Sequence, residues 1–98
     1  MSRTIWKYEF RHDYYAGDST FEMPIGAIPI AVEWREENEN LCLWAEVEPS
    51  NATQQRTFCA VPTGGRIDSG YHYIGMIQEH EHVWHIFEKR DWISPDGE

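Results

Sequence analysis

Hydrophobic and polar residues alternate along most of the chain, and a period of two is typical of half-buried β-strands. In a first segment, residues 4–12, Trp6, Tyr8 and Phe10 share one face, and charged residues occupy the other. The same alternation predicts further strands at about residues 20–25, 27–35, 41–48, 56–61, 71–78 and 83–89. Within these, it predicts two apolar faces, one of Ile28, Ile30, Val32 and Trp34 and one of Leu41, Leu43, Ala45 and Val47. No helix of three turns is predicted.

Turn-forming residues separate these segments by mostly short links. Polar residues 36–40 form the tip of one predicted hairpin and residues 79–82 that of another, while residues 50–55 are a predicted loop. Pro24 cannot donate a hydrogen bond to a sheet, so the second strand is expected to end at Met23 or to lie at an edge. Six to seven such strands predict an all-β fold, an antiparallel meander folded into a single small barrel or a two-layer sandwich.

The length of 98 residues leaves no room for a second core, so a single domain is expected over residues 1–98. We expect an ordered body at about residues 4–90 and a loose tail at 91–98, where Trp92 can dock onto the body. The hydrophobic content of 41% and the aromatic content of 14% predict a folded chain. The sequence has neither an 18-residue apolar run nor the apolar stretch of a signal peptide, so a cytoplasmic protein without membrane contact is expected.

The charge balance, 17 acidic against 8 basic residues with a net charge of −9, argues against direct binding to nucleic acid. Proteins that bind nucleic acid neutralise phosphates with clustered Lys and Arg. Several strands also carry apolar residues on both faces, as where Trp44 follows Leu43 and Trp84 follows Val83. So short a chain cannot easily cover both faces, so we expect a homo-oligomer, a protein partner or a ligand to do so.

Six short motifs occur in order along residues 4–88. They are Thr4-Ile5-Trp6-Lys7-Tyr8, Glu22-Met23-Pro24 with Gly26-Ala27, Leu41-Cys42-Leu43-Trp44-Ala45, Thr63-Gly64, Tyr73-Ile74-Gly75 and Trp84-His85-Ile86-Phe87-Glu88. Together they resemble a family of small proteins of unknown function that are encoded mainly in bacteriophage and prophage genomes. The resemblance implies a phage or prophage accessory protein in the cytosol of its host, and it implies no established activity or cofactor.

A candidate ligand site lies at Thr63, Gly64, Gly65 and Arg66. Two glycines let backbone amides approach an anion, and an arginine can grip a phosphate with two parallel hydrogen bonds. Flat side chains on which a nucleobase can stack are candidates for the same site, namely Trp44, Trp6, Tyr73 and Trp84. These features are typical of a site for a small nucleotide-like ligand. The alternative is a plain hairpin turn with aromatic residues in the core.

A candidate protein-binding surface is the acidic hairpin tip, where Glu36, Glu37 and Glu39 cluster. A row of carboxylates can imitate the phosphates of DNA and occupy a basic groove on a host enzyme. The alternative is that these charges keep an exposed sheet edge soluble.

A weaker candidate is a metal site at His80, His82 and His85, since imidazole suits zinc, copper or nickel. Its alternative is a solvated turn with His85 packed beside Val83 and Phe87. No serine lies in a G-x-S-x-G motif, and Cys42 and Cys59 are expected to be reduced, packed thiols.

The sequence therefore predicts a noncatalytic phage or prophage binding protein, without a cofactor, that interferes with a host process by sequestering a small nucleotide-like ligand. An acidic inhibitor of a host defence or nucleic-acid enzyme is the first alternative. A small metal-dependent hydrolase is the second.

Overall fold

The computed structural model describes residues 2–90, and this part of the chain contains seven β-strands and no helix. The strands are β1 (Thr4–Glu9), β2 (Ser19–Pro24), β3 (Ile28–Arg35), β4 (Asn40–Val47), β5 (Thr53–Pro62), β6 (Tyr71–Glu79) and β7 (His82–Lys89). The predicted all-β fold is confirmed. The loose tail and the docking of Trp92 lie outside the described residues. In residues 2–90 no helix has the length and apolar character needed to cross a membrane.

The strands form two antiparallel sheets that pack face to face. Sheet A has the order β1-β4-β3, and sheet B has the order β2-β5-β7-β6. On one side of the sandwich the rings of Tyr8 in β1 and Phe21 in β2 lie 5.3 Å apart. On the other side Gly75 in β6 approaches β3 so closely that a Cβ at this position would lie 3.0 Å from Val32 Cγ2. The sheets do not close into a barrel, so the sandwich is the correct member of the predicted pair.

The core forms where the alternating apolar faces of the two sheets meet. In β4 the side chains of Leu41, Leu43, Ala45 and Val47 are all fully buried, as their shared predicted face requires. The register places Tyr8 opposite Leu43 and Trp6 opposite Ala45, so the predicted apolar face of β1 points the same way. Sheet B contributes Met23, Phe58 and Ile86 from the opposite layer.

The predicted meander is wrong, because only β3–β4 and β6–β7 are pairs of consecutive strands. β1 pairs with β4, β2 with β5, and β5 with β7. The link after β1 crosses from sheet A to sheet B and closes one end of the core. Its Tyr14 is buried, with ring centres 6.2 Å from Trp34 in sheet A and 5.9 Å from Trp84 in sheet B. A hairpin between β1 and β2 would leave this end open.

A β-bulge in β3 changes which side chains face the core. The register with β4 shifts between Pro29 and Ala31, so Ile28 lies opposite Glu46 on the outer face while Val32 lies opposite Leu43. The predicted common face of the four apolar residues in β3 is therefore wrong at its start, where Ile28 and Ile30 are half exposed. Pro29 has no N–H to donate to the ladder, so an irregular register at this point loses little hydrogen bonding.

The start of β5 also differs from the pattern. Residues 53–55, predicted as loop, belong to β5 because they pair with residues 22–24 of β2. Polar Gln54 and Gln55 interrupt the alternation there, but their backbone groups still complete the ladder.

Candidate functional site

A cavity of about 390 Å³ lies where the end of β5 meets the β6–β7 hairpin, and we call it the turn cavity. Its walls are formed by Pro62, Thr63, Glu81, His82, Val83 and Trp84. Two of the predicted ligand residues, Thr63 and Trp84, thus come together from distant positions in the sequence. One member of the predicted histidine cluster, His82, joins them.

The register of β5 with β7 creates this meeting point. Pro62 lies opposite Trp84 and Val61 opposite His85, so the first residue beyond β5 reaches the start of β7. The Thr63 hydroxyl lies 3.0 Å from His85 Nε2, which fixes the residue at the mouth of the turn. Thr63 is consequently held by a side chain of β7 on one side and by the end of β5 on the other.

The two glycines of the turn are required by its own geometry. Gly64 has a positive φ of 89°, and a Cβ on Gly65 would lie 2.8 Å from Val61 Cγ1. The Gly65 N–H donates to the Pro62 carbonyl at 2.8 Å, so this amide already has a partner. Apart from the two neighbours of Gly64 in the chain, no atom of the described residues lies within 4 Å of the position that a Cβ on Gly64 would take, so the open side of the turn is at this residue.

Arg66 follows the turn with its guanidinium in solvent. Its side chain is 88% exposed, and Nε donates to Asp68 Oδ1 at 2.9 Å. An exposed ion pair of this kind contributes little to stability. Arg66 is therefore able to exchange Asp68 for the anionic group of a ligand.

In the described part of the chain every cationic side chain has a carboxylate neighbour. Each of the eight Lys and Arg side chains has a carboxylate oxygen within 4.0 Å. An anionic ligand must consequently replace an existing partner, and Arg66 has the most exposed side chain among the paired cations.

The other predicted aromatic residues do not line the turn cavity. Trp44 lies on the outer face of sheet A, where Lys7 Nζ is 5.9 Å from its ring centre and its Nε1 donates to Glu33 at 3.3 Å. Tyr73 lies on the outer face of sheet B, 5.4 Å from the ring of Phe87. Trp6 is at the edge of sheet A, opposite Ala45. The sandwich separates Trp44 from Tyr73, so the eight predicted residues do not form one site.

The acidic tip is exposed at the β3–β4 hairpin, as the spacing of Glu36, Glu37 and Glu39 predicts. Arg35 holds Glu37 at 2.8 Å and lies 3.5 Å from Glu33. Glu39 adopts a positive φ of 49°, and its N–H donates to the Glu36 carbonyl, which closes the turn. The tip therefore places three carboxylates on one short turn, with one arginine at its base.

The predicted histidine cluster is divided by the pleat of β7. His82 and Trp84 share one face, whereas His85 shares the other with Val83. His80 lies in the hairpin turn with a φ of 56°. In residues 2–90 no group of three or more His, Cys, Asp or Glu residues is arranged to hold a metal ion.

The two thiols are buried in the sheets. Cys42 and Cys59 are free and buried, and burial raises the pKa of both. A raised pKa keeps a thiol protonated, which makes it a poor nucleophile and a poor metal ligand.

A buried ion cluster was missed by sequence reasoning. Glu88 is 1% exposed on the inner face of sheet B, and its oxygens accept from Arg56 Nε at 2.6 Å and Nη2 at 2.9 Å. Arg90 donates to the same carboxylate at 3.1 and 3.2 Å, and Arg56 Nη1 donates to the Ala27 carbonyl at 2.7 Å. The signal was present in the sequence, because Glu88 continues the alternation of Trp84 and Ile86 that faces the core.

This cluster borders a second cavity, of about 440 Å³, whose walls include Gly26 and Gln54. Burial alone would raise the pKa of Glu88, but the hydrogen bonds and charge of Arg56, with the charge of Arg90, lower it below its ordinary value of 4.5. Every guanidinium nitrogen of Arg56 donates to a protein oxygen. The cluster thus ties β5 and β7 to the β2–β3 turn, and we assign it to the stability of the fold.

These features define a small antiparallel β-sandwich domain with an open cavity at one end of its larger sheet. The chain belongs to the family of a domain of unknown function, DUF7352, whose family model matches residues 1–94. The predicted membership of a family of unknown function is thereby confirmed. Neither the curated proteins nor the solved structures contain a match to this chain.

Proposed function

We propose that this protein is a noncatalytic binding protein of a bacteriophage or prophage that acts in the cytoplasm of the host. It interferes with a host process by sequestering a small nucleotide-like ligand in the turn cavity. The observation that carries this proposal is the convergence of Thr63 and Trp84 on one cavity.

The size and chemistry of the turn cavity support a ligand of this class. Its volume of about 390 Å³ falls in the range of small-molecule sites, about 300–1,000 Å³. The indole of Trp84 offers a surface for a nucleobase, and the Glu81 carboxylate can accept a hydrogen bond from an exocyclic amine. The Thr63 hydroxyl and the His82 imidazole add further polar contacts. Arg66 can pair with a phosphate after it releases Asp68.

The phage or prophage setting is supported by the six motifs that run from Thr4 to Glu88, because their order resembles a family encoded mainly in such genomes. A cytoplasmic location is consistent with the two reduced, buried cysteines.

Native mass spectrometry of protein purified gently from its expression host tests this proposal. We expect a ligand-sized mass increment that disappears on denaturation. Thr63→Val is expected to reduce the occupied fraction because it removes a hydroxyl at similar volume, and Arg66→Gln because it removes the positive charge. Thr20→Val is the matched control, since Thr20 donates to or accepts from Thr57 at 3.0 Å on a distant part of sheet B. The bare sequence mass, or equal occupancy in all variants, contradicts the proposal.

A second candidate function is favoured by the acidic tip. Glu36 and Glu39 are exposed and make no ion pair among the described residues, so their charge is available to a basic groove on a host nucleic-acid enzyme. Such an inhibitor competes with duplex DNA for a purified host nuclease, and added salt weakens the competition.

Reversal of Glu36, Glu37 and Glu39 to Lys abolishes the competition if this alternative is correct. Glu22→Lys, a reversal of an exposed carboxylate on β2, serves as the control and leaves it intact. Competition that survives the triple reversal excludes the acidic tip as the inhibitory surface.

A further inference from the structure

We propose that the free edge of β1 pairs with β1 of a second copy of this chain, so that two sheets A join into one continuous six-stranded sheet. The inference is independent of the turn cavity. It begins with β1, which within residues 2–90 hydrogen-bonds to β4 alone and lies at the edge of sheet A. Its side chains are exposed except for Tyr8, and they include Ile5 at 56% and Trp6 at 41%.

The other three edges carry features that oppose pairing with another chain. β3 has Pro29 and a bulge, and it lies against β6. β6 has its own register irregularity between Tyr73 and Gly75. β2 ends in Pro24 and exposes Glu22. Prolines, bulges and exposed charges are the usual protection of sheet edges, and β1 has only the last of these, at Lys7 and Glu9. β1 pairs with β4 in a continuous register and contains no proline.

Lys7 is the one charge in the middle of β1, and it does not block the edge. It points to the outer face, where it lies over Trp44 and 3.4 Å from Glu9. The backbone edge of the strand is left clear.

Charge complementarity selects a second copy as the occupant and fixes the register. In a two-fold antiparallel pair centred on Trp6, Arg3 of each copy lies opposite Glu9 of the other, and both side chains are on the outer face. A pair centred on Lys7 would place two Lys7 side chains opposite each other, and one centred on Ile5 would place Lys7 opposite Arg3. A two-fold axis that lies between two residues of β1 would join the outer face of one sheet to the inner face of the other. The register centred on Trp6 therefore avoids like charges. It also brings Arg3, which lies 2.9 Å from Glu46 in its own copy, opposite Glu9, which lies 3.4 Å from Lys7, so each gains a second partner of opposite charge.

Disulfide trapping with single cysteines tests this register. At the two-fold centre the two Cα atoms of residue 6 lie about 4.5–5.5 Å apart, which suits a disulfide, so Trp6→Cys forms a covalent dimer on mild oxidation. Glu9→Cys is the matched control, because its two copies lie roughly 20 Å apart along the strands. The native Cys42 and Cys59 are buried and do not compete.

Sedimentation equilibrium gives a second measurement that does not alter Trp6. The unmodified protein is expected at twice the monomer mass, and Glu9→Arg is expected to shift it toward the monomer by placing two arginines opposite each other. Glu22→Arg on β2 leaves the dimer unchanged. A monomeric unmodified protein, equal cross-linking of Trp6→Cys and Glu9→Cys, or equal effects of the two charge reversals overturns the proposal.

Discussion

The buried carboxylate of Glu88 offers the sharpest test of how the two layers are held together. Glu88→Gln keeps the volume of the side chain but removes the charge that faces two arginines. Arg56, whose side chain is 10% exposed, then retains a buried positive charge whose partner is neutral. Its hydrogen bond from Nη1 to the Ala27 carbonyl does not compensate for the lost charge.

The expected loss is large relative to the stability of a domain of this size. Removing one partner of a buried ion pair costs about 3–5 kcal/mol, because the other charge is left without compensation. The whole free energy of unfolding of a small domain is about 5–15 kcal/mol. With a urea dependence of about 1–2 kcal/mol per molar, the midpoint of unfolding is expected to fall by roughly 1.5–5 M.

Urea unfolding followed by tryptophan fluorescence measures this loss. Asp68→Asn makes the same carboxylate-to-amide change in the exposed Arg66–Asp68 pair and should leave the midpoint almost unchanged. Arg56→Met combined with Glu88→Gln should cost less than the sum of the two single changes, since the double variant leaves no buried unpaired charge; Arg90, the other partner of Glu88, has a partly exposed side chain. A Glu88→Gln midpoint equal to that of Asp68→Asn refutes the reasoning.

Three further predictions follow from local geometry and titration. Gly75→Ala places a Cβ 3.0 Å from Val32 Cγ2, so thermal unfolding should show a loss of about 1–3 kcal/mol that Val32→Ala partly restores. The lowered pKa of Glu88 stabilises the fold above pH 4.5, and this contribution is lost as the pH falls through the lower folded-state pKa; acid titrations of the unmodified protein and Glu88→Gln should therefore approach each other below pH 4.5 and converge below that folded-state pKa. Burial raises the pKa of Cys42 and Cys59, so a thiol reagent at pH 8 should label them only as fast as the protein opens. A rapid phase of labelling in the native protein contradicts their burial.

The sequence is sufficient to predict which side chains face the core in β1 and β4. Their alternation is regular, and each strand buries a single apolar face, so Tyr8 and Leu43 could each be assigned to the buried face of its own strand without a structure. The all-β fold follows from the same pattern, because seven short alternating segments leave no room for a helix.

The pairing order could not be predicted in the same way. Alternation shows which face of a strand is buried, but it does not show which neighbour supplies the hydrogen bonds. β1 pairs with β4 across a long stretch of chain, and the bulge after Pro29 shifts the register by one residue. These features depend on how the links cross between the sheets.

The residues that form each site could be predicted only in part, for a related reason. Thr63 and Trp84 meet because β5 and β7 are paired, which no local pattern indicates. Glu88 was not recognised as buried, because an isolated carboxylate is normally solvated and its partner Arg56 lies on a different strand. Trp44 was predicted as a surface on which a nucleobase can stack, but Lys7 and Glu33 half cover it.

The most direct test of the central claim is an NMR titration of isotope-labelled protein with a panel of nucleoside monophosphates. If the turn cavity binds such a ligand, saturable shifts are expected at the amides of residues 63–66 and 81–85, and Thr63→Val should weaken them. Absence of saturable shifts with every member of the panel, or shifts confined to the acidic tip at residues 36–39, contradicts the account.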